Sequence, residues 1–302
     1  NIGRLNNVVP AIVTGRDPRG HLLFLLPLSI ETGGFARRLT WLGSDLCDYN
    51  GPLLAPDFGQ RFDAERFQKL WRDIVARLQS HPQLRFDLIH FNKMQDTVGA
   101  QHNPFMGLGV MRNASGAYCT QLSDDWEKFY TGKRSSATRR RDRNKRKKMS
   151  EFGEVRFIST GQGVDFATTL DTLMEQKSKS FAAMGVTNIF ALPGHREFYH
   201  ALAAQPHFVH VSRLDVGAQT AAANLGLIFR GSYYHLLASY DGGELSSFGA
   251  GAAHMHDLMR TAIERGCTSF DFTIGDERYK REWCDGRIVL YDHVAPATLR
   301  GI

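Results

Sequence analysis

Three β-rich segments, residues 209–215, 220–230 and 233–240, are separated by short turns at Val216-Gly217-Ala218 and at Gly231-Ser232, and this limits the fold more than any other feature of the chain. Connections that short join antiparallel neighbours, so the segments must form a meander. Next come Ser247-Phe248-Gly249-Ala250-Gly251, then Met255, Leu258, Met259, Ala262 and Ile263, whose three- and four-residue spacing marks one face of a helix ended by Gly266. Residues 269–273 read as a strand, 276–283 as a helical turn and 287–291 as a last strand. A strand at 155–158 precedes one helix marked by Phe166, Leu170, Leu173, Met174 and Phe181, and another marked by Phe198, Tyr199 and Leu202. The second half therefore reads β-α-α-β-β-β-glycine loop-α-β-α-β.

The first half is less regular. Residues 8–13 and 22–28 flank turn residues at 15–20 and predict a hairpin. Beyond a loop at 44–56, Phe67, Leu70, Trp71, Ile74, Val75 and Leu78 predict an amphipathic helix with Asp63 as N-cap, followed by a strand at 88–91. Ser123, ahead of Asp124, Asp125 and Glu127, stands where an N-cap belongs; its helix, broken near Gly132, is expected to stop around Gly153. With 302 residues the chain defaults to two domains. The expected division is 1–125, a connecting helix at 126–151, and 152–302, with α/β (α+β) architecture: mixed, largely antiparallel sheets flanked by helices.

The formal net charge of +6 is concentrated in one place. Between Lys133 and Lys148 ten Lys or Arg face Asp142 alone, so the remainder is mildly acidic and the chain is not a globally basic nucleic-acid coat. The longest apolar run, residues 22–30, contains Pro27 and is far shorter than the ~20 residues of a membrane span. No secretory signal is visible, and the opening Asn1 leaves the true start open. Cys47, Cys119, Cys267 and Cys284 form no C-x-x-C pair, and reduced thiols in a cytoplasmic protein are the simplest reading.

The element order, with its glycine loop between the third meander strand and the next helix, resembles the GNAT acetyltransferase fold. Phe270-Asp271-Phe272-Thr273-Ile274-Gly275-Asp276-Glu277-Arg278-Tyr279-Lys280-Arg281-Glu282-Trp283 is similar to the C-terminal signature of the CelD-like (cellulose and exopolysaccharide biosynthesis) acyltransferases. These are relatives of the Fem family of peptidoglycan aminoacyltransferases. The basic helix ending in Glu151-Phe152-Gly153-Glu154-Val155, and Leu26-Pro27-Leu28 with Asp48-Tyr49-Asn50-Gly51-Pro52, extend the resemblance over most of the chain. It implies tandem GNAT-like units, the first degenerate. Family members often carry Ser-Pro-Gly where this chain has Gly249-Ala250-Gly251, and Ser246 replaces the leading Gln or Arg of the general GNAT loop pattern.

A loop with two glycines opening a helix brings backbone N–H groups to a pyrophosphate, which suits acyl-CoA or acetyl-CoA as cosubstrate; the same residues also make a plain turn. Attack on a thioester needs a neutral amine, an oxyanion donor and an acid for the departing thiolate. The resemblance implies Tyr279 as that acid, although a lone Tyr is often a packing residue. Lys280 would hold donor phosphate or an acid group of the acceptor. Asp271, between two Phe, faces the opposite side and would deprotonate the amine or cap a turn. Asp48 and Tyr49 are acceptor-site candidates by resemblance only. His254 and His256 are two apart and share no helix face, so no metal is expected, and His235 reads as a core histidine.

Three functions follow as expectations. The first is an acyl-CoA-dependent N-acyltransferase acting on a small-molecule, glycan or peptide-precursor amine in polysaccharide or cell-envelope biosynthesis, in the cytoplasm or at the inner membrane face. The second is an aminoacyl-tRNA-dependent Fem-like transferase. The third is a non-catalytic RNA or anionic-polymer binding module, weakened by the lack of aromatics between Lys133 and Lys148. The basic helix is either a solvated face or a site for an anionic partner such as a tRNA, a phosphorylated precursor or the membrane face.

Overall fold

The computed structural model describes residues 7–160, 164–203 and 207–301. They form two compact units, one of residues 7–117, 274–276 and 288–301, the other of the described residues within 118–273 and 277–287.

In the first unit β1 (Val8–Arg16) and β2 (Leu22–Gly33) make the expected hairpin, and β3 (Ala36–Trp41) adds antiparallel to β2. The short β4 (Leu53–Leu54) also pairs with β2. A turn of helix, α1 (Phe58–Arg61), precedes α2 (Ala64–Ser80). Helix α2 buries Phe67, Trp71, Ile74 and Leu78, and its Asp63 cap accepts the Arg66 N–H. Strand β5 (Leu88–Met94) then runs parallel to β3. A small ribbon, β6 (Thr97–Val98) with β7 (Gln101–His102), and the edge strand β8 (Met111–Arg112) follow. Leu28, Ile30, Leu39, Trp41, Phe91 and Phe105 form the fully buried centre.

The second unit contains β9 (Ala117–Gln121), α3 (Trp126–Lys133), α4 (Ser136–Met149), β10 (Val155–Thr160), α5 (Val164–Met184) and α6 (His195–Ala203). The meander is β11 (Val209–Val216), β12 (Gln219–Phe229) and β13 (Ser232–Tyr240), followed by α7 (Ala250–Glu264), β14 (Ser269–Ile274), α8 (Arg278–Trp283) and β15 (Gly286–Ile288). Its sheet order is β10-β11-β12-β13-β14-β9-β15. Helix α7 buries Leu258, Met259 and Ala262 with Phe270 and Phe272. Leu170, Leu173 and Met174 of α5 pack with Val211, Ala223 and Leu225.

Five details differ from the sequence reading. Asp125, not Ser123, caps α3 by accepting the Lys128 N–H, while Ser123 Oγ donates to the Asp125 carbonyl. The helix breaks at Arg134, because Ser135 starts α4 by accepting the Thr138 N–H. Strand β3 was not foreseen, since its Arg37 and Arg38 hide the apolar pattern of Leu39 and Trp41. The end of the chain forms two strands, and the second, β16 (Tyr291–Pro296), pairs antiparallel with β5 in the first unit rather than completing the 152–302 unit. The compact units meet at 117/118 instead of 125/126, and the basic helix belongs to the second.

Several buried polar groups lie in the second unit. His210 Nδ1 is 2.9 Å from Tyr233 OH and its Nε2 is 2.8 Å from Ser159 Oγ, while His254 Nε2 is 3.0 Å from Ser212 Oγ. Burial pushes His210, His235 and His254 down to about 3, so all three are neutral when folded. Unfolding exposes them to protonation below about pH 6.5. Their contribution to stability is therefore complete above that pH and is lost as pH falls toward 3. Urea melts between pH 6 and 5 should show His254→Gln flattening the pH dependence by about one proton, or ~1.4 kcal/mol per pH unit. An unchanged slope would mean that His254 is already charged in the native protein.

Candidate active site

Strands β13 and β14 run side by side only briefly. Their parallel ladder covers Ser232↔Ser269 to Tyr234↔Asp271, whereas β13 continues against β12 to Ala222↔Tyr240. In that longer pairing Gly226 faces His235 and Leu225 faces Leu237, so Leu236 is an extra, bulged residue. The bulge falls just past the last pair with β14, and Leu236, Leu237 and Ala238 are only half-buried. Strands β2 and β3 of the first unit pair in unbroken register, while β1 with β2 and β16 with β5 each carry one shift of their own.

Where β14 leaves its partner, Thr273 adopts φ 59°, an unfavourable backbone for a β-branched residue. Three interactions fix it. Asp271 Oδ1 accepts the Thr273 N–H at 2.7 Å, Thr273 Oγ1 donates to the His235 carbonyl at 3.4 Å, and Lys280 Nζ donates to the Thr273 carbonyl at 3.4 Å. Lys280 is 3% exposed, and its ammonium pairs with Glu277 at 3.0 Å. Its charge is thus engaged by the Thr273 carbonyl and by Glu277. Asp271 makes a local turn bond, and His235 packs against Phe270 and Phe272.

Tyr279, on α8, meets Phe272 edge-on at 6.1 Å and is 37% exposed. Burial of its hydroxyl surroundings, then the Glu277 charge, pushes the phenol up, which keeps it protonated and able to donate. Lys177 of α5 is a charged neighbour that sequence reading missed. Burial holds it below the usual lysine range against the charge of Glu277, with Lys280 adding to the shift. A single Lys in an amphipathic helix carries no signal of this kind, and neither does the backbone of Thr273.

The glycine loop follows β13. A 3₁₀ turn at Glu244–Phe248 leads to Gly249, whose φ of 74° makes it the left-handed N-cap of α7. The first amides of a helix have no acceptor within it, so those of Ala250, Gly251 and Ala252 present a local positive end. The Ala250 side chain is buried with Met149, Val216 and Leu245, leaving its N–H as the contact it can offer. Gly251 is ordinary helix, and a Cβ there would meet Tyr240 at a normal 3.5 Å. Of the two glycines, only Gly249 has a backbone that requires one. Ser246 Oγ donates to the Gly243 carbonyl within the same loop.

Helix α4 lies against this region. Arg146 pairs with Asp257 of α7 at 2.8 Å, and Arg139 donates to the Arg134 and Thr131 carbonyls at the end of α3. Arg140, Arg141, Lys147 and Lys148 are exposed and, among the described residues, have no carboxylate partner. His254 and His256 diverge: His254 reaches Ser212 and Phe157, whereas His256 sits among Trp126, Tyr130 and Trp283. No group of three His, Cys, Asp or Glu among the described residues could hold a metal ion. Asp48 and Tyr49 lie in the first unit, after a loop whose Ser44 and Cys47 carbonyls accept from Lys93 Nζ at 3.0 and 2.9 Å.

Residues 136–281, from the first residue of α4 to α8, match the family profile of the acetyltransferase (GNAT) domain. Among solved structures the chain is similar to FemX, at 9% identity and a TM-score of 0.64, covering 97% of this chain and 90% of that one. It is also similar to L-PGS from Bacillus licheniformis (11%, TM-score 0.55, 93% and 83% covered). A third likeness is to a tandem GNAT protein from the clavulanic acid biosynthesis pathway (10%, TM-score 0.52, 96% and 83% covered). No curated protein matches the chain in sequence. Residues 136–281 of the second unit thus match a GNAT acetyltransferase domain, and the whole has the fold of tandem GNAT proteins.

The two loop glycines should separate experimentally. Gly249→Val places a β-branched residue at positive φ and should cost about 1–2 kcal/mol in urea melts. Gly251→Ala meets no clash, gains helix propensity and should be neutral or stabilising by up to ~1 kcal/mol. Equal losses in both variants would contradict this assignment.

Proposed function

We propose that the second unit is an N-acyltransferase that moves an acyl group from acyl-CoA or acetyl-CoA to an amine acceptor. The observation that carries this reading is the bulged β13 parting from β14, with a left-handed glycine opening helix α7 in the connection that follows β13. The donor's diphosphate lies at the Gly249 loop, against the first-turn amides of α7. Its thioester reaches the wedge, where the backbone around Leu236 offers N–H groups that β14 does not use. The amine nitrogen attacks the carbonyl carbon, an oxyanion forms, and the carbon–sulfur bond breaks. Tyr279 gives its proton to the departing thiolate and regains one from solvent, which also takes the proton the amine loses.

Asp271 and Lys280 have positioning roles in this scheme. They hold Thr273 and so keep the wedge open, in place of the base and phosphate roles the sequence suggested for them. The resemblance of residues 270–283 to CelD-like enzymes, and the envelope context implied by the Fem likeness, point to an acceptor used in polysaccharide or cell-envelope biosynthesis. Among the described residues no helix is long and apolar enough to cross a membrane.

A panel of acyl-CoAs should raise the melting temperature, since a ligand at 100 times its dissociation constant adds about 2.7 kcal/mol. Tyr279→Phe should leave that shift intact and slow single-turnover transfer by about 10²–10⁴. Full activity in Tyr279→Phe would remove the acid role, and the absence of any shift across the panel would remove the donor.

The outer cations of α4 favour a second reading, an aminoacyl-tRNA donor. Arg140→Glu with Arg141→Glu should then weaken tRNA binding in gel shifts while changing stability by less than about 0.5 kcal/mol. Unaltered tRNA affinity would count against it.

A further inference from the structure

The acyl-CoA reading leaves unexplained why so basic a helix packs beside the glycine loop. Helices α3, α4 and α7 enclose a groove of about 300 Å³ that opens at Phe248 and Gly249 and runs along α7 to Arg260. Most of its charged lining is already engaged. Arg146 pairs with Asp257, Asp142 accepts from Tyr130 OH at 2.8 Å, and Arg260 lies over the Trp126 ring. Two cations on the lining, Arg143 and Lys145, have neither a carboxylate nor a hydrogen-bond partner among the described residues.

Their positions on the helix differ. At 100° per residue, Arg143 and Lys145 stand about 160° apart, at opposite edges of the face that carries Asp142, Arg146 and Met149. Lys145 borders the loop: its Nζ would be the nearest heavy atom, at 3.5 Å, to a Cβ placed on Gly249. Arg143 stands at the other edge, away from Lys145. Glu127 of α3 also lines the groove, exposed and with no ion pair among the described residues. The two separate cations, one over a helix N-terminus, still outnumber it and are complementary to a ligand with two separate anionic groups.

We propose that α4 is the second wall of the donor site and that the groove takes the 3′-phosphorylated nucleotide end of a coenzyme A donor. Lys145 binds the diphosphate across the Gly249 loop, and Arg143 binds the terminal phosphomonoester. This assignment rests on the acyl-CoA reading. A doubly ionised phosphomonoester suits the planar fork of Arg143, whereas a diphosphate held mostly by backbone amides needs only a point charge from Lys145.

Calorimetric titration of the full chain with coenzyme A and with 3′-dephospho-coenzyme A tests it. The unaltered protein should bind coenzyme A about tenfold more tightly than the dephospho form. Arg143→Ala should weaken coenzyme A about tenfold and leave the dephospho form unchanged, abolishing the discrimination, and Arg143→Lys should restore part of it. Lys145→Ala should weaken both ligands by a similar factor. Both side chains are exposed, so melting temperatures should not move. Variants that bind both ligands as the unaltered protein does would overturn the assignment while leaving the acyl-CoA reading standing. If the unaltered protein binds neither ligand, both readings fall together.

Discussion

The parting of two parallel strands is the constraint on which the proposed chemistry depends. Sheets gain by pairing every backbone group, so a β13 that loses its partner after Tyr234 needs something to hold β14 away. Thr273 supplies it. Its left-handed backbone costs about 1–3 kcal/mol and persists only because its surroundings over-determine it. Asp271, the His235 carbonyl and the buried Lys280 ammonium provide that over-determination, and Lys280 is itself neutralised by Glu277. Asp271 and Lys280, which look catalytic in sequence, both bond to Thr273. Strain stored beside a binding wedge is consistent with a site that must receive an extended ligand arm between strands.

The same reasoning explains the packing around α7. Its apolar side is fixed by Leu258, Met259 and Ala262, and its buried end by His254 against Ser212. The other side meets α4 through the Arg146–Asp257 pair. A helix held from both sides keeps its N-terminal amides pointing in one direction, which is what an anion site needs to avoid reorganisation on binding. The first unit shows the contrast: β2 and β3 pair without a bulge, and the next long helix, α2, begins only at Ala64.

Much of this architecture was legible in the sequence because short turns and periodic apolar residues are local signals. The short connections predicted β11 to β13, and the spacing from Phe67 to Leu78 predicted α2 with its Asp63 cap. Local signals fail where a partner is distant. Strand β3 was hidden by its arginines, and β16 was placed in the wrong unit because pairing with β5 is not encoded near residue 291. At the site, Gly249 could be named from its motif, but which glycine had the positive φ could not. The roles of Thr273 and Lys177 depend on neighbours far away in the chain.

That distant pairing affects how the protein is made. Strand β16 contributes Tyr291–Pro296 to a sheet whose other main strands are complete by Met94, so a ribosome must add about 200 residues before the first unit can close. During that time β5 has an open edge, the kind of surface that pairs with other chains. Non-local closure of this sort slows folding and lengthens exposure to aggregation. Strands β10 to β14 of the second unit lie between β5 and β16 in the chain, so they are synthesised before β5 gains its second neighbour.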